Sequence, residues 1–426
     1  MSTISRRNLF TKTNAVAAAA TTFMIIKPQL VKGWANEKLK AGLVGCGGRG
    51  TQAVIDMMQG TDNIELVSMG DIFEDKLEAS LKNIEKHSDY PKFQNRIAVT
   101  PEKRFIGFDS LEKVLKSDID IVMLATPPGY RPAYFEAAIN ARKHVFCEKP
   151  FGVDAVGVRR FMAAAKKSEE LKLTVMSGAQ RRNDSNYITT IDKIKNGAIG
   201  DILATYAYWV GTPVIQQKAR DPKWGDMTWQ HRAWYSHLWI CGDQIVEQHL
   251  HNIDVSNWAM GGHPVECTAS GGVAWRPHEE IYGCIYDNIS ADFVYANGVH
   301  MSSYCRQYPR TATNNIAQNV SELIVGSKGR SKGNDLADNA RTRPYVAEHT
   351  AMANSIRGNG PYVNHGMAVA ESTMTCIMGR ESAYSGLKIT WDMMMNSQQD
   401  LTPKAFDYDL KMDVPAVPVP GIYKFV

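Results

Sequence analysis

Short apolar runs alternate with stretches of helical periodicity from Leu39 to Pro150, and this alternation constrains the fold more than any other feature of the chain. The apolar runs predict strands at Leu39–Gly45, Ile64–Gly70, Ile119–Ala125 and His144–Cys147. The segments between them predict helices at Arg49–Met58, Glu74–Lys86, Ser110–Lys116 and Arg131–Arg142. Because strands that alternate with helices form parallel βαβ units, we predict a parallel sheet covered by helices.

The second half of the chain has a different pattern, in which longer runs alternate apolar and polar residues. Two such runs are Ile202–Trp209 and Ala291–Cys305, and the Asn297-Gly298 pair within the second run is typical of a hairpin turn. These runs predict a C-terminal α+β domain with an open, largely antiparallel sheet. The polar segment Arg330–Asn364 is predicted to be irregular, and Met367–Arg380 is predicted to form a helix.

The first 35 residues have the pattern of an export signal. Arg6 and Arg7 precede a weakly apolar stretch, Ala15–Ile26, which is too short to span a bilayer. Gly33-Trp34-Ala35 then offers a small-x-small cleavage site. This order resembles a twin-arginine signal and predicts a periplasmic or otherwise exported protein, whereas a disordered basic N-terminus is the alternative. The expected regions are therefore a signal at 1–35, a parallel-sheet domain at 36–152 and an α+β domain at 153–426.

Charge and cysteine content argue against several classes of function. The leader carries five basic side chains and no acidic one, which accounts for the formal net charge of +4. The rest of the chain therefore offers no electrostatic case for nucleic acid. The seven cysteines are scattered and never spaced as CxxC, so we expect no disulfide framework and no metal site. No apolar run after the leader is long enough for stable membrane insertion.

The segment Gly45–Gly50, with the sequence GCGGRG, fits the GxGxxG pattern between the first predicted strand and the first predicted helix. Gly45 permits a tight turn there. Gly47 lets the backbone approach a pyrophosphate at the helix N-terminus, with Gly48 and Arg49 beside it. Gly50 allows close packing of the helix on the strand. The segment therefore predicts that residues 36–152 form a dinucleotide-binding Rossmann domain, whereas a glycine-rich turn that binds nothing is the alternative.

Asp71 ends the next predicted strand, 21 residues after Gly50. A carboxylate at that place accepts hydrogen bonds from the adenosine ribose hydroxyls and repels a 2′-phosphate. Asp71 therefore predicts NAD, rather than NADP, as the cofactor.

Two further motifs follow strands at the carboxyl edge of the predicted sheet, where open α/β sheets bind their ligands. They are Thr126-Pro127-Pro128 and Glu148-Lys149-Pro150. We place Thr126, Pro127, Glu148 and Lys149 beside the cofactor. Lys149 could also bind a substrate hydroxyl or take its proton. Taken alone, the first motif could be a stiff loop and the second a surface ion pair.

A histidine-containing segment, Glu247–Asp254, is predicted to form a helix with Glu247, His251 and Asp254 on one face. A carboxylate four residues before a histidine can orient its imidazole, which suits a general base. A structural histidine is the alternative, and a metal pair of His249 and His251 is disfavoured because their spacing puts them on different faces. Many aromatic residues precede this segment, among them Trp234, Trp239 and Tyr235, and suit either sugar rings or an aromatic core.

Taken in this order, these motifs resemble the Gfo/Idh/MocA family, named for glucose–fructose oxidoreductase and inositol dehydrogenase. The Ala198-Ile199-Gly200 turn adds to the resemblance. The resemblance implies that Lys149 contacts the reacting hydroxyl and that His251 accepts its proton, with Glu247 as the associated acid. The sequence departs from the family pattern where Glu247 replaces an aspartate. It also departs after the fourth strand, where TPN-x-x-H reads Thr126-Pro-Pro-Gly-Tyr-Arg131.

The resemblance implies an NAD-dependent oxidoreductase that oxidises a hydroxyl of a sugar, glycoside or related polyol. The exported location adds the expectation that the cofactor stays tightly bound, and we expect a homo-oligomer. One alternative is a glycosidase resembling glycoside hydrolase family 109, in which NAD oxidises the sugar transiently and allows elimination of the aglycone. Another is a catalytically silent sugar-binding protein with a relic Rossmann domain.

Overall fold

The computed structural model describes residues 38–214, 217–309, 319–338 and 342–426. The predicted signal at 1–35 lies outside these residues. The N-terminal part contains a six-stranded sheet in the order β3-β2-β1-β4-β5-β6, in which every pairing is parallel. Its strands are β1 Leu39–Val44, β2 Ile64–Asp71, β3 Arg104–Ile106, β4 Ile121–Leu124, β5 His144–Cys147 and β6 Val175–Ser177. The parallel sheet predicted from the strand–helix alternation is confirmed.

Six helices accompany this sheet. They are α1 Gly48–Gly60, α2 Glu74–Glu85, α3 Tyr90–Phe93, α4 Ser110–Leu115, α5 Arg131–Asn140 and α6 Ala155–Glu170. The central strand β4 is buried along its whole length, as expected for a parallel strand covered on both faces. The apolar core on one side of the sheet includes Phe135 of α5, whose ring stacks 3.9 Å from that of Phe161 of α6.

The second part contains a seven-stranded sheet in the order β12-β11-β7-β10-β9-β8-β13. Its strands are β7 Ile202–Gly211, β8 Glu266–Gly272, β9 Asn288–Val294, β10 His300–Gln307, β11 Asn319–Gly326, β12 Gly329–Ser331 and β13 Ile389–Thr390. Among the described strands of this second sheet, only the β7–β10 pairing is parallel. The turn between β9 and β10 contains Gly298 at φ +81°, so the predicted hairpin and the largely antiparallel sheet are confirmed.

The helices of the second part are α7 Ser185–Lys195, α8 Asp226–Arg232, α9 Leu238–Cys241, α10 Gln244–Glu247, α11 Leu250–Met260, α12 Pro344–Arg357, α13 Gly366–Ser385 and α14 Trp391–Asn396. The long helix α13 is buried along most of its length and packs against β8 and α6, so it joins the two parts of the molecule. None of the helices in the described part of the chain combines the length and the hydropathy that crossing a bilayer requires. All seven cysteines lie in described segments, where they are buried and free.

Two elements differ from the sequence prediction. Residues 330–364 were expected to be irregular, but α12 occupies 344–357, with Pro344 in its first turn and Gly358 at φ +70° after it. The polar composition concealed this helix because its buried face carries Glu348 and His349 beside Met352 and Ala353.

The predicted helix over Glu247–Asp254 is interrupted, since α10 ends at Glu247 and α11 begins at Leu250. The Glu247 carbonyl accepts a hydrogen bond from Lys149 Nζ at 2.6 Å, and the His251 amide donates to the Gln248 carbonyl instead. The i to i+4 relation of Glu247 and His251 on one continuous helix is therefore not observed.

The parallel sheet continues past residue 152, where the boundary between the two domains was expected. Helix α6 packs on α5, and β6 then pairs with β5 through Val145, Phe146 and Cys147. The change from the parallel to the antiparallel sheet therefore follows β6.

Candidate active site

A cavity of about 670 Å³ lies at the carboxyl edge of the parallel sheet, between this sheet and the second part of the chain. The structure brings nearly every predicted site residue to its wall. These residues are Gly45, Gly47, Gly48, Arg49, Asp71, Thr126, Pro127, Glu148, Lys149, Glu247 and His251. The exception is Gly50, which is buried behind the turn.

The glycine turn has the geometry that a dinucleotide pyrophosphate requires. Gly45 adopts φ +97°, and a side chain there would lie 2.6 Å from the backbone of Ala125. By contrast, a Cβ on Gly47 or Gly48 would meet no atom within 4 Å, so their backbone faces open space at the start of α1. A Cβ on Gly50 would lie 2.0 Å from the Gly45 carbonyl, which confirms the close packing expected there. The residues present fit the cofactor.

Two backbone amides fix the carboxylate of Asp71 beside the glycine turn. Its Oδ2 accepts a hydrogen bond from the Cys46 amide at 2.7 Å, and its Oδ1 accepts one from the Phe73 amide at 2.9 Å. Burial raises the pKa of Asp71, and these two hydrogen bonds act in the opposite direction. Each oxygen can accept a further hydrogen bond and Asp71 lines the cavity, so the carboxylate fits the ribose hydroxyls of NAD.

Arg49 lies on the wall of the cavity, but its donors contact carboxylates of the protein. Its Nε donates to Glu148 at 2.5 Å, and its terminal nitrogens lie 3.1 Å from Asp56 and 3.3 Å from Glu348. Its guanidinium stacks 4.6 Å from the ring centre of Tyr345, which belongs to α12 and also lines the cavity. Arg49 therefore connects the glycine turn to the Glu-Lys-Pro motif and to α12.

Arg131 occupies the position where the family pattern has a histidine. Its side chain is buried, and its Nε and Nη2 donate to the Thr126 carbonyl at 2.9 and 2.6 Å. Its Nη1 donates to the Pro150 carbonyl at 2.8 Å. The arginine thus joins the loops that carry Thr126-Pro127 and Lys149, a role that no sequence motif indicated.

Lys149 and Glu247 form the polar centre of the site. Lys149 Nζ donates to Glu247 Oε1 at 3.0 Å, as well as to the Glu247 carbonyl. The second carboxylate oxygen, Oε2, accepts a hydrogen bond from the hydroxyl of Tyr235 at 3.0 Å. The Lys149 and Glu247 side chains are 13% and 12% exposed, so a substrate can reach the pair only through the cavity. The carboxylate expected to orient His251 orients Lys149 instead.

His251 lies on the same wall and is held by different contacts. Its imidazole stacks on Trp209 of β7 with the ring centres 6.0 Å apart, and its carbonyl accepts a hydrogen bond from Arg181 at 2.9 Å. Burial, together with the positive charges of Lys149, Arg181 and Arg49, lowers the pKa of His251 well below its usual value of 6.5. The ring is therefore neutral near pH 7 and able to accept a proton.

The other predicted members of the histidine segment have structural partners. His249 is fully buried, and its Nε2 lies 2.8 Å from the Ser303 hydroxyl. Asp254 accepts two hydrogen bonds at 2.8 Å from Arg182 and a third from Ser372. Asp254 is absent from the residues that line the cavity.

Several residues that line the cavity were not predicted. Tyr130 donates to His231 Nε2, because His231 Nδ1 lies 2.7 Å from the Met227 carbonyl and must carry the proton there. Burial lowers the pKa of His231 to about 4. His231 and Arg232 come from the aromatic-rich stretch that also supplies Trp234, the aromatic candidate named from the sequence, and that stretch was their only signal in the sequence.

Comparison with known proteins agrees with this geometry. Residues 39–177 match the model of the Gfo/Idh/MocA oxidoreductase family, described as an NAD-binding Rossmann fold. A curated relative, the inositol 2-dehydrogenase of Salmonella paratyphi B, is 25% identical over 222 residues. That alignment covers 52% of this chain and 54% of the relative, so the chain spans about half the length of the curated relatives it matches.

Solved structures show the likeness of the whole fold. The scyllo-inositol dehydrogenase from Lactobacillus casei, with bound NAD(H) and scyllo-inositol, has a TM-score of 0.62 at 17% identity. The WlbA dehydrogenase from Bordetella pertussis, in complex with NADH and UDP-GlcNAcA, has a TM-score of 0.63 at 21% identity. Each comparison covers 83% of this chain and 99% of the other.

The glycine turn, the fixed Asp71 carboxylate and the parallel strand order agree with the match to the family model. Residues 39–177 of this chain are therefore similar to the NAD-binding Rossmann fold of the Gfo/Idh/MocA oxidoreductase family.

Proposed function

We propose that this chain is an NAD-dependent oxidoreductase that oxidises a hydroxyl of an inositol, a sugar or a related polyol. The observation that carries this proposal is the placement of Lys149, Glu247 and His251 on the same cavity as the glycine turn and Asp71. The resemblance to inositol 2-dehydrogenases supports the substrate class.

The residues of the site supply the proton chemistry of such an oxidation. Lys149 Nζ, which Glu247 holds at the cavity, donates a hydrogen bond to the substrate hydroxyl oxygen. His251, kept neutral by its lowered pKa, accepts the proton of that hydroxyl as the carbon–hydrogen bond breaks. NAD, when bound, supplies the acceptor for the hydride.

A screen of inositols, sugars and glycosides with purified protein tests this function. We expect NADH to form with at least one of them, at a rate that depends on Lys149. Release of an aglycone at unchanged total NADH would instead indicate the glycosidase, because that reaction returns the hydride to the substrate. Protein that binds no dinucleotide would contradict both enzymatic functions and favour the silent sugar-binding protein.

We propose further that the cofactor is retained between turnovers. The support for this is the C-terminal strap, which we define as residues 401–412. The Tyr408 hydroxyl donates to the carbonyl of Ile72, next to Asp71, while the Tyr408 carbonyl accepts a hydrogen bond from the Thr228 hydroxyl at 2.9 Å. Phe406 lies against Tyr130, with the ring centres 5.3 Å apart. The strap thus connects the Asp71 end of the cavity to the second part of the chain.

Two properties of the whole protein belong to the same proposal. The twin-arginine pattern around Arg6 and Arg7 supports export after folding, which would let the cofactor be loaded before export. The open sheet supports a homo-oligomer, because alternate residues such as Ser290, Ser302 and Tyr304 on β9 and β10 are exposed. Replacing both leader arginines with lysine should leave precursor in the cytoplasm, and normal export of that variant would contradict the route.

A further inference from the structure

Arg232 brings a positive charge from the second part of the chain to the Asp71 end of the cavity. Its terminal nitrogens donate to the two carboxylate oxygens of Asp75 at 2.9 and 3.0 Å. Its guanidinium lies 4.1 Å from the ring centre of Phe73 and 5.1 Å from that of Trp224. The Arg232 side chain is 16% exposed, whereas that of Asp75 is 60% exposed.

This arginine lies next to the carboxylate that selects the cofactor. Phe73 connects Arg232 with Asp71, because its amide donates to Asp71 Oδ1 at 2.9 Å and its ring packs against the Arg232 guanidinium. Asp71, Phe73, Lys76 and Arg232 line the same cavity. Within the described residues, the buried Nε of Arg232 has no hydrogen-bond partner. This Nε is buried, so the terminal nitrogens that Asp75 occupies are the donors that a ligand would need.

The cavity edge thus holds two cations and two carboxylates in close proximity. Arginine and lysine side chains are the groups that bind the 2′-phosphate of NADP, and arginine does so with paired donors. Here Asp75 engages the paired donors of Arg232, and Asp71 adds a second negative charge near Lys76. Arg232 and Lys76 are cations of the kind that bind a 2′-phosphate. Asp75 occupies the donors of Arg232, and the negative charge of Asp71 would repel the phosphate.

We propose that Asp75 is a second determinant of the preference for NAD over NADP, because it withholds Arg232 from a 2′-phosphate. The inference rests on the proposed NAD-dependent function. It predicts that Asp71 and Asp75 act together. Removing Asp71 alone leaves Arg232 engaged, and removing Asp75 alone leaves the ribose carboxylate in place. NADP affinity should therefore rise steeply only when both are neutral.

The test measures the Kd of NAD and NADP for cofactor-stripped protein by quenching of tryptophan fluorescence. The variants are Asp71→Asn, Asp75→Asn, the double variant, and the double variant combined with Arg232→Met. For Asp75→Asn alone, NADP should bind no more than ~5-fold tighter, since an exposed ion pair contributes little. For the double variant, NADP should bind on the order of 100-fold tighter than to the wild type, and Arg232→Met should remove most of that gain. Glu74→Gln, the exposed neighbour outside the cavity, is the matched control and should change neither Kd.

Each result supports or overturns the inference. A double variant that binds NADP no tighter than Asp71→Asn would overturn the role of Asp75 while leaving the proposed function intact. A gain that survives Arg232→Met would overturn the role of Arg232. Wild-type protein that prefers NADP would overturn this inference and the NAD preference, and protein that binds neither dinucleotide would overturn the proposed function as well.

Discussion

Lys149 is the residue on which the proposed chemistry depends most. Its Nζ contacts both the carbonyl and the carboxylate of Glu247, and Tyr235 fixes the other carboxylate oxygen. These contacts fix the Lys149 ammonium, which follows a strand of the parallel sheet, against Glu247 at the start of the histidine segment. Such fixed donors stabilise developing charge on a substrate oxygen because they need no rearrangement during the reaction.

Replacing Lys149 with methionine, or His251 with asparagine, should lower kcat by ~10²–10⁴-fold, because each variant removes a group that handles the substrate proton. The Kd for NAD should change by only a few-fold, since the pyrophosphate and ribose contacts come from the glycine turn and Asp71. Steady-state kinetics and a binding titration separate the two effects. Exposed Lys86→Met and His278→Asn are the controls. Full activity of the His251 variant would show that another group accepts the proton.

The pH dependence should follow His251. Only the neutral imidazole accepts a proton, and burial beside Lys149 and Arg181 lowers its pKa below the usual 6.5. The protonated form of His251 therefore accumulates only at pH values below 6.5. The profile of kcat/KM should stay flat as the pH falls through 6.5 and should decline further into the acid range. A decline centred at or above 6.5 would contradict the neutral, desolvated histidine.

At the scale of elements, sequence patterns predicted most of the sheet framework. The runs at Leu39–Gly45 and Ile64–Gly70 correspond to β1 and β2 to within one residue at each end, because parallel strands buried on both faces are continuous apolar runs. The helix α12 was missed because its buried face carries Glu348 and His349, whose partners are distant in sequence. Local periodicity cannot reveal such pairing.

The candidate site likewise contains features that local sequence predicts and features that depend on distant residues. The glycine turn and Asp71 were predictable because their roles depend on local backbone geometry. The interruption between α10 and α11 was not predictable. It arises where Lys149, about a hundred residues earlier in the chain, donates a hydrogen bond to the Glu247 carbonyl. Arg131 and Arg232 were missed for the same reason, as their partners lie on other elements.

The C-terminal strap gives a prediction at this scale. Changing Phe406 to alanine and Tyr408 to phenylalanine removes the contact with Tyr130 and the hydrogen bond to the Ile72 carbonyl. NAD should then dissociate about tenfold faster, since two contacts that hold the cavity-lining residues Tyr130 and Ile72 are lost. Stopped-flow displacement of bound cofactor measures this rate. Tyr362→Phe is the control, because Tyr362 lies outside the strap and the cavity. An unchanged dissociation rate of NAD in the double variant would show that the strap does not retain the cofactor.

At the scale of the whole molecule, the cofactor should link folding of the two parts, since the cavity is built from both of them. A ligand at 100 times its Kd adds about 2.7 kcal/mol to the free energy of unfolding. Stripped protein should therefore show a higher Tm when NAD is added. Protein purified with its cofactor should show almost no further rise, and a large rise would indicate an exchanging cosubstrate.

The most direct measurement of the central claim is deuterium transfer. Purified protein would be mixed with inositols, sugars and glycosides that carry deuterium on carbon, then denatured, and the released dinucleotide weighed by mass spectrometry. We predict that at least one substrate transfers deuterium to the dinucleotide, and that Lys149→Met slows the transfer by ~10²–10⁴-fold. A dinucleotide that stays unlabelled with every compound would contradict oxidation of a polyol hydroxyl at this site.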